Sequence, residues 1–241
     1  MPFTDKLEKP QDVEKMDEEY QHLLKRVLAI QADCEIGGPH LYVEDILLNA
    51  PTANEQLIVA RTAAEEIDHY RKMAKLAADL GVDVSYVLTR SNQERYVEAF
   101  RGKISTWEDY AIFGFLIDRV GRYQLEEFQD CSYRPVANIL PQVMKEEEGH
   151  VGHGQDLTAQ MAHSDDPEQR KRIQDSLNRW YPQGLDMFGM SESHRSERFV
   201  YWGIKRRTNE EARQDYMNEV NSLIEQVGLQ IPDPKEGRHY Y

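Results

Sequence analysis

The chain carries the pattern Glu-x-x-His in two long helix-forming segments, as Glu66-Ile67-Asp68-His69 and as Glu147-Glu148-Gly149-His150. On an α-helix, residues three apart lie on one face, about one turn from each other. A carboxylate and an imidazole in that arrangement can bind one metal ion. The spacing alone is weak support, because Glu19/His22 and Glu236/His239 match it as well.

The residues that share a helix face with each Glu/His pair distinguish the four pairs from one another. His22 lies among charged residues, and Glu236 and His239 lie in a Pro-rich tail where no helix is expected. The two internal pairs instead interrupt apolar stripes, which is typical of a face that packs into a core. A carboxylate in a core costs several kcal/mol unless it is paired or bound to metal. The stripes consist of Val59, Thr62, Met73 and Leu76 in one helix, and of Leu140, Val143, Gly154, Leu157 and Met161 in the other.

A two-metal centre in a bundle also needs one carboxylate from each of the other two helices. Facing residues of an antiparallel hairpin are about 30 positions apart when the helices have about 20 residues. Glu35 precedes Glu66 by 31 positions, and Asp118 precedes Glu147 by 29. Such a set of oxygen and nitrogen donors suits iron or manganese better than zinc. The candidate metal ligands are therefore Glu35, Glu66, His69, Asp118, Glu147 and His150.

Other interpretations of these residues are open at this point. The two Glu-x-x-His pairs could be buried structural ion pairs, and Glu35 could pair with a neighbour. Asp118 could be bridged to Arg119 or Arg122. His153 is more often a supporting or surface histidine than a ligand, and Met73 and Met161 are most simply core residues. Rival lone carboxylates, at poorer spacing, are Glu44, Glu126 and Glu127.

Helix-forming composition predicts an all-α fold, with four long helices that pack as a four-helix bundle and additional C-terminal helices. Gly37-Gly38-Pro39 is expected to end the first helix. We predict one domain over 1–241, with the core bundle at about 11–163, extra helices at about 165–227 and an irregular tail at 228–241. The predicted helices cover about 11–37, 53–80, 107–131, 135–163, 165–181 and 208–227.

Composition excludes several classes of partner. The 29 Lys and Arg against 43 Asp and Glu give a net charge of −14, which argues against nucleic acid and against an anionic membrane surface. The apolar stretch 111–117 is too short to cross a bilayer. With no secretory pattern and only two cysteines, we expect a cytoplasmic protein.

Lys205-Arg206-Arg207 is a run of three basic residues. Such a run is usually a solvated helix end, but it could also hold a substrate phosphate.

The chain resembles ferritin-like di-iron carboxylate proteins, and more closely the family of catalytic subunits of phenylacetyl-CoA epoxidases. In that family the ligands of two iron ions fall on the six residues selected above. The family has a lysine in some members where this chain has Thr62. The resemblance covers roughly residues 20 to 235 and includes Cys34-Glu35-Ile36-Gly37, Lys145-Glu146-Glu147-Glu148-Gly149-His150, Trp180-Tyr181-Pro182, Met187-Phe188-Gly189, the stretch 202–209 and Ile231-Pro232-Asp233-Pro234.

The resemblance implies a multicomponent monooxygenase that uses O2 to epoxidise the aromatic ring of an acyl-CoA such as phenylacetyl-CoA. The second oxygen atom would leave as water. Electrons would come from a separate flavin/iron-sulfur reductase, because the chain has no Cys cluster and no dinucleotide fingerprint. The implied assembly is a homo- or hetero-oligomer with a paralogous helical subunit. The alternatives are a ferritin-like protein that handles iron or peroxide and a non-catalytic partner subunit.

Overall fold

The computed structural model describes residues 2–241, and these form a helical protein. Within them there is no strand, only an isolated bridge between Leu7 and Tyr133, and no helix has the length and apolar character needed to span a membrane. The all-α, ferritin-like prediction is confirmed. The bundle consists of four helices, α1 (Glu18–Tyr42), α2 (Ala53–Asp79), α3 and α4 (Arg134–Ala162). Of these, α3 is made of three consecutive segments, Trp107–Ile112, Phe113–Asp118 and Arg119–Glu126.

Three further helices follow the bundle, and single turns occupy the long link between α2 and α3. The added helices are α5 (Pro167–Asp186), α6 (His194–Tyr201) and α7 (Asn209–Gln226). The 3₁₀ turns in the link are Ser85–Leu88, Asn92–Glu94 and Glu98–Arg101, and one α-helical turn, Pro10–Val13, precedes the bundle.

Side-chain caps explain where the predicted helices begin. The hydroxyl of Thr52 accepts a hydrogen bond from the backbone N–H of Glu55 at the start of α2. Thr106 and Thr208 cap α3 and α7 in the same way. Such caps satisfy backbone N–H groups that the first helical turn leaves unpaired, and this fixes the start of each helix.

The predicted end of α1 at Gly37-Gly38-Pro39 is wrong, because the helix continues to Tyr42 with Pro39 inside it. Tertiary packing overrides the local signal here. A Cβ on Gly37 would lie 3.0 Å from the ring of Phe100, so this glycine allows close packing. A π-helical segment, Val43–Leu47, then follows α1 directly.

Other helix bounds also differ from the predictions. α1 begins at Glu18 rather than near 11, because Asp17 caps it after the separate turn. α3 ends at Glu126 instead of 131, and α5 continues through Pro182 to Asp186. α6 was not predicted at all.

The core consists of two apolar clusters, which lie on either side of the two Glu-x-x-His pairs along α2 and α4. Val59 and Leu157 belong to one cluster, and Met73 and Val143 to the other. The candidate residues thus occupy a polar layer between two apolar ones. α3 and α4 approach closely at this level, since a Cβ on Gly154 would lie 2.4 Å from the backbone of Gly114.

We expect Gly154→Ala to lower the free energy of unfolding by about 1–3 kcal/mol, because the added methyl group forces α3 and α4 apart. Gly152→Ala is the matched control. Its Cβ would enter open space, and alanine favours a helix by about 1 kcal/mol over glycine. Urea unfolding of the two variants measures the difference. Equal stabilities would contradict the close crossing.

Candidate metal centre

The structure brings both Glu-x-x-His pairs together in the polar layer. The Nδ1 atom of His69 lies 3.4 Å from Glu35 Oε2, 3.2 Å from Glu147 Oε1 and 3.9 Å from Glu66 Oε2. The Nδ1 atom of His150 lies 3.1 Å from Glu66 Oε1 and 3.8 Å from Glu147 Oε2. Glu66 and Glu147 therefore each present one oxygen to each imidazole. Two cations held at the two imidazoles could therefore share both carboxylates.

The buried Nδ1 atoms of His69 and His150 have no hydrogen-bond partner among residues 2–241, although carboxylates surround them. Two ligands at right angles on one ion, each with a bond of about 2.1 Å, are about 3 Å apart. The shortest nitrogen-to-oxygen separations are close to that value. Donor atoms of Glu35, Glu66, His69 and Glu147 all lie within 4.8 Å of one another. The donor set and the unpartnered nitrogens fit a bound metal.

Asp118 lies at the edge of this group. It is half-buried and lines the same small cavity as Glu35, Glu66 and Glu147. It is the last residue of the π-helical segment of α3. Burial and the nearby charge of Glu147 raise the pKa of Asp118 to about 7.

The alternatives weighed from the sequence have other partners in the structure. Arg119 and Arg122 bind Glu219 rather than Asp118. Glu44 is exposed. Glu126 and Glu127 pair with Arg207, His153 lies 3.0 Å from Glu55, and Glu19 binds Arg198.

Two residues next to the candidate ligands were missed from the sequence. Nε2 of His69 lies 2.8 Å from Glu146 on α4, and Nε2 of His150 lies 2.8 Å from Glu65 on α2. Each contact crosses between the helices. A carboxylate at Nε2 keeps the proton there and leaves the Nδ1 lone pair free for a metal. The signal was the glutamate directly before Glu66 and before Glu147 in both copies of the motif.

Without a metal, the pKa values of the side chains in this cluster are shifted strongly from their usual values. Burial disfavours an imidazolium, yet Glu147 and Glu35 raise the pKa of His69 to about 11. Burial likewise opposes the charge on His150, but Glu147 and Glu66 raise its pKa to about 12. Burial and the charge of Glu147 raise the pKa of Glu66 well above its usual value. Protons thus neutralise part of the cluster, and a metal must displace them.

The chain as a whole matches a known family. The model of the family described as "Phenylacetic acid catabolic protein" matches residues 7–240. The chain belongs to this family.

Two curated relatives support the assignment to the phenylacetic acid catabolic family. The A-subunit of 1,2-phenylacetyl-CoA epoxidase from Escherichia coli (strain K12) is 28% identical over 240 residues, which cover 96% of this chain and 76% of the relative. Benzoyl-CoA oxygenase component B from Aromatoleum evansii is 26% identical over 245 residues, covering 90% of this chain and 52% of the relative. The family resemblance predicted from the sequence is confirmed.

We expect the metal-free protein to lose stability as the pH rises from 5 to 9. The raised pKa values of Asp118 and His69 mean that the folded state binds more protons than the unfolded state in this window, so stability falls as pH rises. Thermal unfolding at a series of pH values measures the slope of stability against pH. We expect Asp118→Asn to make this slope shallower below about pH 7. Added Mn²⁺ should reduce the slope above pH 7. An identical slope in wild type and Asp118→Asn would contradict the raised pKa of Asp118.

We expect Glu65→Gln and Glu146→Gln each to weaken metal binding about 10- to 100-fold, because each loses the carboxylate that orients a histidine. Glu148→Gln is the control, since Glu148 is exposed on α4 and has no ion pair within residues 2–241. Competition with a chelator measures the affinity, and circular dichroism checks the fold. Unchanged affinity in both variants would contradict the orienting role.

Proposed function

We propose that the protein is the catalytic subunit of a multicomponent di-iron monooxygenase that epoxidises the aromatic ring of an acyl-CoA such as phenylacetyl-CoA. The observation that carries the proposal is the pair of unpartnered Nδ1 atoms facing shared carboxylates in the bundle interior. Two bound iron ions would supply the O2 chemistry. The names of the relatives, an epoxidase and an oxygenase of aromatic acyl-CoA thioesters, support this choice.

The proposed ligand assignment follows the distances among five of the residues, and Asp118 is assigned by its position in the shared cavity wall and its charge interaction with His150. Glu35 and His69 would hold one ion, and Asp118 and His150 the other. Glu66 and Glu147 would lie between them, with one oxygen toward each side. Four carboxylates offset the charge of two divalent ions, which makes this buried site electrostatically reasonable. The donor set suits manganese as well, and iron is our proposal for the resident metal.

A cleft beside the centre has the size of a ligand site. Its volume is about 390 Å³, within the range of small-molecule pockets. Gln31, Gln124 and Met187 line this cleft and also a smaller cavity, about 40 Å³, whose walls include four candidate ligands. We call the smaller cavity the chamber. In our proposal the CoA arm lies in the cleft, and the acyl group passes these three residues to reach the chamber.

The charges of the cleft support a CoA thioester. Arg26, Arg195 and Lys205 line it, and none of the three has an ion-pair partner in the part of the chain that the structure describes. The whole protein has a net charge of −14, so free cations here favour a polyphosphate ligand. Of the basic run 205–207, Arg206 binds Gln129 and Arg207 binds Glu127, which leaves Lys205 for the cleft.

Apolar side chains would protect the reaction from water. Phe100, Phe113 and Ile117 line the chamber and are buried. An apolar wall excludes solvent from the reacting ring and strengthens electrostatic interactions inside. At the mouth, the flexible side chain of Met187 can adapt to an acyl group that passes it.

Electrons must come from another protein in this proposal. The only cysteines are Cys34 and Cys131, and a cluster-binding motif needs more. Both relatives are named as parts of larger enzymes, one as a subunit of an epoxidase and the other as a component of an oxygenase. We therefore propose a separate reductase and a helical partner subunit.

The test is anaerobic loading with Fe²⁺, followed by O2, phenylacetyl-CoA or benzoyl-CoA, and a flavin/iron-sulfur reductase. We expect about two iron ions per chain and an oxygenated thioester. Glu66→Ala should lose iron and product, whereas Glu148→Ala, an exposed change on α4, should keep both. Iron oxidation that needs no acyl-CoA would favour an iron-handling protein. Failure to bind iron would favour a non-catalytic subunit. Both results overturn the proposal.

A further inference from the structure

The chamber has an open end and a closed end. Along α1 its wall contains Gln31, Glu35, Gly38 and Tyr42, on successive turns. Gln31 also lines the cleft, whereas Tyr42 lies 11 residues further along the helix, about 16 Å at 1.5 Å per residue. Aromatic rings close this far end: the centroids of Tyr42 and Phe113 are 6.3 Å apart.

The hydroxyl of Tyr42 is a buried polar group without a hydrogen-bond partner within residues 2–241, and the residue is only 2% exposed. Most buried polar groups in native proteins are paired, because an unpaired one lowers stability. Three other buried tyrosines follow that rule. The hydroxyl of Tyr20 bonds to Ser132, that of Tyr181 to Asn221, and that of Tyr216 to the carbonyl of Leu116.

The backbone at Tyr42 is also irregular. α1 ends at this residue, and the π-helical segment Val43–Leu47 begins directly after it. Such segments occur often at functional sites. Burial and the negative charge of Glu66 raise the pKa of Tyr42, so the phenol stays protonated and can act as a donor.

We propose that Tyr42 determines substrate specificity: its hydroxyl donates a hydrogen bond to an oxygen or nitrogen on the aromatic ring of the acyl-CoA, at the end remote from the thioester. This inference rests on the proposed function. An acyl group that enters past Gln31 turns its far edge toward Tyr42. A ring without a polar group there leaves the hydroxyl unpaired, and such a mismatch discriminates between substrates.

The size of the chamber is consistent with a selective site. A cavity of about 150 Å³ accommodates benzene, whereas this chamber holds about 40 Å³. Any ring must therefore displace side chains on binding. A hydrogen bond at the closed end would favour rings that offer a partner to Tyr42 over rings that only fill space.

The first test needs no substrate. Tyr42→Phe removes a hydroxyl that bonds to none of the described residues 2–241, so we expect the melting temperature of the metal-free protein to stay the same or rise. Tyr20→Phe is the matched control, because it removes a bonded hydroxyl far from the chamber and should lower the melting temperature. A larger loss for Tyr42→Phe than for Tyr20→Phe would overturn the proposal.

The second test measures binding of phenylacetyl-CoA and 4-hydroxyphenylacetyl-CoA to the full-length, iron-loaded protein without reductase or O2. We expect wild type to prefer the hydroxylated thioester about tenfold, the size of one net hydrogen bond. Tyr42→Phe should bring the ratio to about one, and Tyr20→Phe should leave it unchanged.

Three results would overturn this inference alone. Wild type could bind both thioesters equally, which would leave the proposed function intact. Tyr42→Phe could weaken the binding of both thioesters equally. It could also weaken iron binding while the preference for the hydroxylated thioester persists. Each of these results would assign the hydroxyl to another role. Absence of binding and of oxygenation with either thioester would overturn this inference together with the proposed function.

Discussion

Four carboxylates and two imidazoles share the interior of one helical bundle, and the rest of the structure accommodates their charge. Burial of an ionised group without a partner is unfavourable, and Glu66 and Glu147 lie near enough to repel each other. Protons on His69 and His150 offset part of this repulsion in the metal-free protein. The apolar clusters above and below this layer provide the stability that lets the bundle retain such a layer.

The same layer links α2 to α4. His69 on α2 contacts Glu146 on α4, and His150 on α4 contacts Glu65 on α2. The glutamate directly before each Glu-x-x-His motif contacts the histidine of the other motif. Each of the two helices therefore orients the histidine of the other. Close approach of α3 and α4 at Gly114 and Gly154 brings the third helix to the same level. Backbone packing and side-chain orientation therefore depend on each other here.

Periodicity and hairpin spacing predicted the bundle and selected the six residues that the structure places around one layer. Their role as metal ligands stays a prediction. Local rules failed at Gly37-Gly38-Pro39, because the packing of Phe100 against Gly37 is a tertiary contact that no local signal encodes. α6 was missed because it is short. The π-helical segment that ends at Asp118 has no sequence signature, yet the spacing argument still reached that residue.

Partners across helices were harder to predict than the residues facing the core. Glu65 and Glu146 each flank a core-facing glutamate, and from the sequence alone they resemble ordinary solvated charges. Their function follows only from the helix that lies opposite. Tyr42 is a similar case, since an aromatic residue at a core position is expected to fill space, and only the absence of a partner for its hydroxyl within residues 2–241 marks it.

The wall between cleft and chamber joins parts of the chain that are far apart in sequence. Gln124 on α3 donates a hydrogen bond to the carbonyl of Met187, which fixes the backbone there. The neighbouring Asp186 accepts bonds from the side chain of Arg238 and the backbone N–H of His239. Because the chamber is smaller than an aromatic ring, passage of a ring must alter this wall. The side chain of Met187 is half-buried, unbranched and flexible, so under the proposed function it can change rotamer to let a ring pass.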